Sequence, residues 1–163
     1  MSSRGMSILL IFGCVATSGC RDATKAPMLP RFTATVAGLL DTTITGNGGY
    51  TLQFGDLHLW LASDDEGSSI IIGGPNTMVY PGEYPIGPGG ASVTFAVGCC
   101  SDQDVALQAT SGTVRILERS GTRIRGEIQM EGSGYIDMQS TSTFGYFTGA
   151  AKFEADVVPR RLP

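Results

Sequence analysis

Ser111-Gly-Thr-Val-Arg-Ile-Leu-Glu-Arg-Ser-Gly-Thr-Arg-Ile-Arg-Gly-Glu-Ile-Gln-Met-Glu-Gly132 decides the fold. Val114 and Ile116 occupy even positions before a turn, and Ile124, Gly126, Ile128 and Met130 occupy even positions after it. Arg115, Arg123, Arg125, Glu127, Gln129 and Glu131 take the odd positions. Apolar residues at every second position mean strands with one wet face, so the stretch is expected to be a β-hairpin. Both apolar sets share a face only if paired residues have the same parity, which asks for a loop of odd length. Arg119-Ser120-Gly121 provides one, with Gly121 at the position of positive φ.

The same alternation extends in both directions. Phe32, Ala34, Val36, Gly38 and Leu40 alternate with threonines; Tyr50, Leu52 and Phe54 form a set, and so do Leu57, Leu59 and Leu61. Ile70-Ile71-Ile72 has the composition of a short strand covered on both faces. Val93, Phe95 and Val97, then Val105, Leu107 and Ala109, and finally Phe147 through Val157 on odd positions, complete the pattern. Gly46-Asn47-Gly48-Gly49 and Pro81-Gly82 have turn composition, and Asp64-Asp65-Glu66-Gly67 that of a polar loop. No three-turn helical periodicity occurs. The expected fold is all-β, with about nine or ten strands in an antiparallel β-sandwich, a closed β-barrel being the alternative. The turn-rich run from Gly73 to Gly90 favours the sandwich, because it offers a crossing between two sheets.

The chain has 163 residues, 23 of them glycine, with 16% charged residues and a net charge of −4. That length suits one domain, and that charge argues against nucleic acid as a partner. Its distribution says more. No Lys or Arg lies between Phe32 and Val114, whereas Arg115, Arg119, Arg123 and Arg125 cluster after it. This segregation reads either as two solvated faces of different charge or as an acidic surface for a cation or a basic partner.

Before the domain come Arg4, a short apolar run from Met6 to Ala16, and Thr17-Ser18-Gly19-Cys20. The run is shorter than the ~20 apolar residues that span a bilayer and suits the core of a secretory signal. Ser18, Gly19 and Cys20 resemble a bacterial lipoprotein signal, which implies cleavage before Cys20 and acylation of its thiol. Thr17 departs from the pattern, where a larger aliphatic residue is usual. Arg21 is not the aspartate that resembles an inner-membrane retention signal, so the resemblance implies the outer membrane, facing the periplasm or the cell surface. The expected organisation is a signal peptide over 1–19, a lipidated cysteine and tether over 20–31, one all-β domain over 32–158 and a tail over 159–163. Pro81 to Ile86, Ser111 to Ile116 and Ile124-Arg125-Gly126 are similar to small bacterial lipoproteins of uncharacterised function, a likeness that implies an all-β fold and lends no catalytic residues.

Candidate chemistry is sparse. With Cys14 in the signal and Cys20 acylated, Cys99 and Cys100 are two adjacent thiols in an exported protein. Consecutive Cα atoms lie ~3.8 Å apart, closer than the ~5.5 Å a disulfide prefers. The pair reads as a strained vicinal disulfide, with two reduced thiols or a redox or soft-metal pair as alternatives. His58 is the only histidine, so a multi-histidine metal site is excluded. No Gly-x-Ser-x-Gly elbow accompanies it. Asp64-Asp65-Glu66 and Asp102-x-Asp104 do not have EF-hand spacing and read as solvated turns. Trp60, Tyr80 and Tyr84 are the candidate ligand-binding aromatics, as a sugar-stacking platform or as loop pins. The expectation is a non-catalytic, membrane-anchored binding, scaffold or envelope-associated module with no cofactor and no metal. A domain binding a sugar or lipid at the end near Trp60 and Tyr84 is the alternative, and a hydrolase is third. Its partners would be the membrane, through the anchor, and an envelope protein or small ligand.

Overall fold

The structure, a computed structural model, describes residues 31–64, 67–97, 103–138 and 141–158. Nine strands form one sheet: β1 (Arg31–Gly38), β2 (Thr42–Gln53), β3 (Asp56–Ser63), β4 (Ser68–Pro75), β5 (Gly82–Pro85), β6 (Ser92–Val97), β7 (Gln103–Ser120), β8 (Arg123–Met138) and β9 (Thr141–Val157). Their order is β5-β7-β6-β4-β3-β2-β1-β9-β8, and β7 also pairs with β8. That second pairing closes eight strands on themselves. The all-β expectation therefore holds, and of the two architectures the sequence allows, the chain adopts the closed barrel. The turn-rich middle does not carry the chain between sheets. It forms a 3-10 turn, Asn76–Val79, and the short β5, which pairs with β7 at Thr113–Ile116, beyond the Val105–Gln108 stretch that pairs with β6.

The organising hairpin is β7–β8, and its arithmetic differs from the expectation. The strands run up to Ser120 and Arg123, leaving a two-residue turn, Gly121-Thr122, with Gly121 at φ 59°. An even loop pairs residues of opposite parity, as in Glu118 with Arg125. A bulge between Ile116 and Glu118 then restores equal parity, giving Ile116 with Gly126 and Val114 with Ile128. One extra residue in a strand does the work assigned to an odd loop, and the tight turn keeps the twist that suits a hairpin. A second bulge between Ala109 and Ser111 switches parity again. This is why Val105, Leu107 and Ala109 point inward on odd positions while Val114 and Ile116 do so on even ones.

Three local readings change. Gly46 to Gly49 lie inside β2, not in a turn. Crowding explains the composition: a Cβ on Gly48 would stand 2.8 Å from the Glu154 carbonyl oxygen, and one on Gly49 would stand 2.7 Å from the Trp60 ring. Ile71 is 51% exposed, so β4 is covered on one face only. Of the Tyr50, Leu52 and Phe54 set, only Tyr50 is buried; Phe54 sits at the β2–β3 turn with φ 53°.

The interior is one apolar cluster. Phe32, Phe95, Phe153, Leu59, Ile70 and Ile128 from six different strands are all buried in it. Eight strands enclose a bore that side chains can just fill. The end holding the Gly121-Thr122 turn is stopped by Met78 and Val79 of the 3-10 turn, 0% and 2% exposed. Leu39 packs at the opposite end, over Gly145. Below the start of β1, β2 and β9 meet directly, with Gly49 opposite Asp156 and Tyr50 opposite Val157 in parallel register.

The outer wall around the β7–β8–β9 hairpin end is polar. Thr33, Lys152, Glu127 and Arg115 form one cross-strand row on it, and Arg115 Nε lies 3.4 Å from Glu83 Oε1. Apolar-in and polar-out is the reverse of the pleat of a transmembrane barrel. This barrel faces water.

Candidate contact surface

Of the candidate aromatics from the sequence, Tyr80 and Tyr84 come together and Trp60 stands apart from them. Trp60 lies on the outside of β3, its ring over Gly49 and against Val158. Tyr80 follows the 3-10 turn and faces the guanidinium of Arg119, 4.9 Å from the ring centroid. Tyr84, on β5, donates its hydroxyl proton toward the carbonyl oxygens of Thr77 at 2.6 Å and Tyr80 at 2.9 Å. Burial raises its pKa above the usual phenol value. Tyr84 thus holds the stopper in place at an end where Met78 and Val79 occupy the bore. His58 is exposed on the outside of β3, opposite Gly73. Asp64 accepts a hydrogen bond from Asn47 Nδ2 at 3.2 Å. Cys20, Cys99, Cys100, Asp65, Glu66 and Asp102 lie outside the described residues, and Asp104 is described only in its backbone pairing with Asp137. Among the described residues, no group of three or more His, Cys, Asp or Glu is placed to hold a metal ion.

The arginine cluster is largely neutralised. Arg123 makes a forked pair with Asp156, at 3.1 and 2.9 Å, and Glu154 lies 3.8 Å away. That hydrogen-bonded carboxylate raises the guanidinium pKa further. Arg125 Nη2 meets Glu118 at 2.8 Å, and Arg115 stands between Glu83 and Glu127. The hairpin end is a ladder of cross-strand ion pairs, not a cationic patch.

A different group of residues is left open to water. Tyr135 on β8 and Phe144 on β9 are direct partners in the register, with ring centroids 5.0 Å apart and planes tilted by 56°. Tyr146 meets Phe144 edge to face at 5.7 Å. The three rings are 56%, 51% and 77% exposed. They stand outward because β8 buries even positions and β9 odd ones. The row through Tyr135 and Phe144 continues with Ala106 on β7 and Ala96 on β6, so small side chains leave the rings uncovered. The row beside it carries Thr94, Gln108, Ser133 and Tyr146, with Thr94 Oγ1 and Gln108 Oε1 2.8 Å apart. Contiguous apolar surface rimmed by polar groups marks a contact site. The parity of Ile128 and Phe147 carries the signal for this group, since it already puts Tyr135, Phe144 and Tyr146 outside.

Comparison of the chain with protein-family models, with curated proteins and with solved structures finds no match.

Proposed function

We propose that this chain is a non-catalytic binding module of the bacterial cell envelope, carried on an acylated Cys20 and presenting the Tyr135–Phe144–Tyr146 surface to a partner. One observation carries the binding role: three aromatic rings stay in water on paired strands of a barrel whose bore is filled with its own side chains. Leaving such area exposed forgoes roughly 25 cal/mol per Å² of apolar burial, a cost offset when a partner covers it. Rigid strands also preorganise the rings, so little ordering entropy is lost on contact.

The anchor reading rests on Ser18-Gly19-Cys20 after a short apolar run. It suits a wall whose polar outer face is the reverse of the lipid-facing band of a transmembrane barrel. Ten residues separate Cys20 from Arg31, where β1 begins at the end of the barrel that also holds the Gly121-Thr122 turn. Tyr135 lies twelve residues from Arg123 along β8, about 40 Å of strand at ~3.3 Å per residue. In this arrangement the aromatic surface stands on the end away from the membrane, toward the periplasm or the cell surface. Membrane fractionation tests the anchor. Cys20→Ser should move the protein to the soluble fraction and abolish acyl labelling, and unchanged retention would overturn it.

A further inference from the structure

The aromatic surface lies on the acidic half of a charge-segregated barrel. All the Lys and Arg of the described residues, Arg31, Arg115, Arg119, Arg123, Arg125 and Lys152, stand on the half nearer the Gly121-Thr122 turn. There the carboxylates of Glu83, Glu118, Glu127, Glu154 and Asp156 answer three of these cations, Arg115, Arg123 and Arg125, in the ladder described above, and Asp56 stands on the same half at the start of β3. The other half carries Asp41, Asp64, Glu131 and Asp137, and among the described residues no cation is paired with them. Glu131 and Asp137 are exposed and share the outward row of β8 with Ser133 and Tyr135. The three rings therefore sit between two carboxylates.

We propose that the Tyr135–Phe144–Tyr146 surface binds an extended basic polypeptide segment, with Glu131 and Asp137 receiving its cations. The proposal rests on the reading of this face as the contact surface and names its partner. Three arguments choose the occupant. Unanswered carboxylates on one end steer cationic partners toward it and repel anionic ones, which disfavours nucleic acid and an anionic lipid surface. Aromatic faces attract ammonium and guanidinium groups, and this molecule already makes that contact where Arg119 lies over Tyr80. Spacing gives the third argument. Outward residues on β8 recur every second position, about 6.7 Å apart, which is also the repeat of side chains on one face of an extended chain.

The test uses the full-length protein in detergent and three probes: a fluorescein-labelled peptide of alternating arginine and glycine, its glutamate-glycine counterpart, and chitohexaose as a neutral glycan. The arginine peptide should bind and the glutamate peptide should not. Phe144→Ala and Tyr146→Ala leave the net charge unchanged, yet each should weaken binding about tenfold. Asp137→Asn should weaken it several-fold, and raising salt from about 0.05 to about 0.5 M should do the same by shortening the Debye length. A thermal melt followed by Trp60 fluorescence confirms that each variant is folded. Chitohexaose binding that the ring variants abolish, without arginine-peptide binding, would overturn the basic partner and leave the contact surface standing. Ring variants that bind every probe as the parent does, or no binding by any probe, would overturn both.

Discussion

The ring of Phe153 lies across Gly126, its direct partner on the neighbouring strand. A Cβ placed on Gly126 would stand 2.6 Å from Phe153 Cζ and 2.6 Å from the Arg115 carbonyl oxygen. Glycine here is a packing requirement of the bore: one strand gives up its side chain so that the next can place an aromatic ring. Gly126→Ala should destabilise the barrel by about 1–3 kcal/mol, the usual cost of overpacking a filled core, read as a lower urea midpoint. Phe153→Ala alone should cost about 3–5 kcal/mol. The double variant should cost less than the sum, because the missing ring makes room for the methyl. Recovery would be incomplete, since the Arg115 carbonyl stays where it is. Strict additivity would mean that ring and glycine are not coupled.

The two faces of the β7–β8 hairpin should differ sharply. Ile128 is 1% exposed and pairs with Val114 across the bore side of the hairpin. Ile128→Ala should cost about 2–5 kcal/mol. Arg125 points outward, and its pair with Glu118 is more than half exposed on both sides. Such a pair contributes about 0–1 kcal/mol, so Arg125→Ala should cost about 0.5 kcal/mol. Equal losses in chemical denaturation would contradict the facing of the strands.

Tyr50 couples the barrel's stability to alkaline pH. Burial raises the phenol pKa above the ordinary 10.0; nearby Arg119 opposes the shift and Asp156 adds to it. A folded-state pKa above the unfolded value means that the native chain holds the proton more tightly. The resulting stability is fully present below the unfolded pKa and is lost as pH rises through the folded one. Melting temperature should therefore fall above about pH 10, and Tyr50→Phe should flatten that fall. The difference between spectrophotometric titrations of the parent and of Tyr50→Phe should show this phenol ionising above the ordinary 10.0. An unchanged alkaline slope in the variant would remove Tyr50 from the account.

The alternation of Val114, Ile116, Ile124 and Ile128 was enough to read an antiparallel all-β domain, because period two survives whichever way the sheet closes. Closure itself was not legible. It depends on β9 reaching back to β1, as in Phe153 opposite Phe32, a contact between residues far apart in sequence. The bulges were hidden for a related reason: at Leu117 and Thr110 one extra residue shifts the register without leaving a turn composition behind. Gly46 to Gly49 misled because a glycine required by a crowded wall has the same letter as one required by a turn. The outward aromatics were readable from parity alone. Their convergence was not, since it needs the cross-strand register of β8 and β9 to set Tyr135 against Phe144.

Tyr84 should govern the stopper at the hairpin end. Its hydroxyl carries one proton and stands between the carbonyl oxygens of Thr77 and Tyr80, 2.6 and 2.9 Å away. The Tyr80 amide already donates to the Thr77 oxygen at 3.0 Å, so these contacts together close the 3-10 turn that buries Met78 and Val79. Tyr84→Phe keeps the ring and removes the donor. A neutral hydrogen bond of this sort contributes about 0.5–1.5 kcal/mol, and carbonyls near the surface recover part of it from water. The global loss should be about 1 kcal/mol or less. The local loss should be clearer, because short segments open below the global free energy. Hydrogen exchange at the amides of Met78, Val79 and Tyr80 should quicken in the variant, while exchange at Ile128, in the middle of β8, should hardly change. Equal acceleration at both places would mean that the stopper and the barrel wall open as one unit, and that Tyr84 supports the whole sheet through β5.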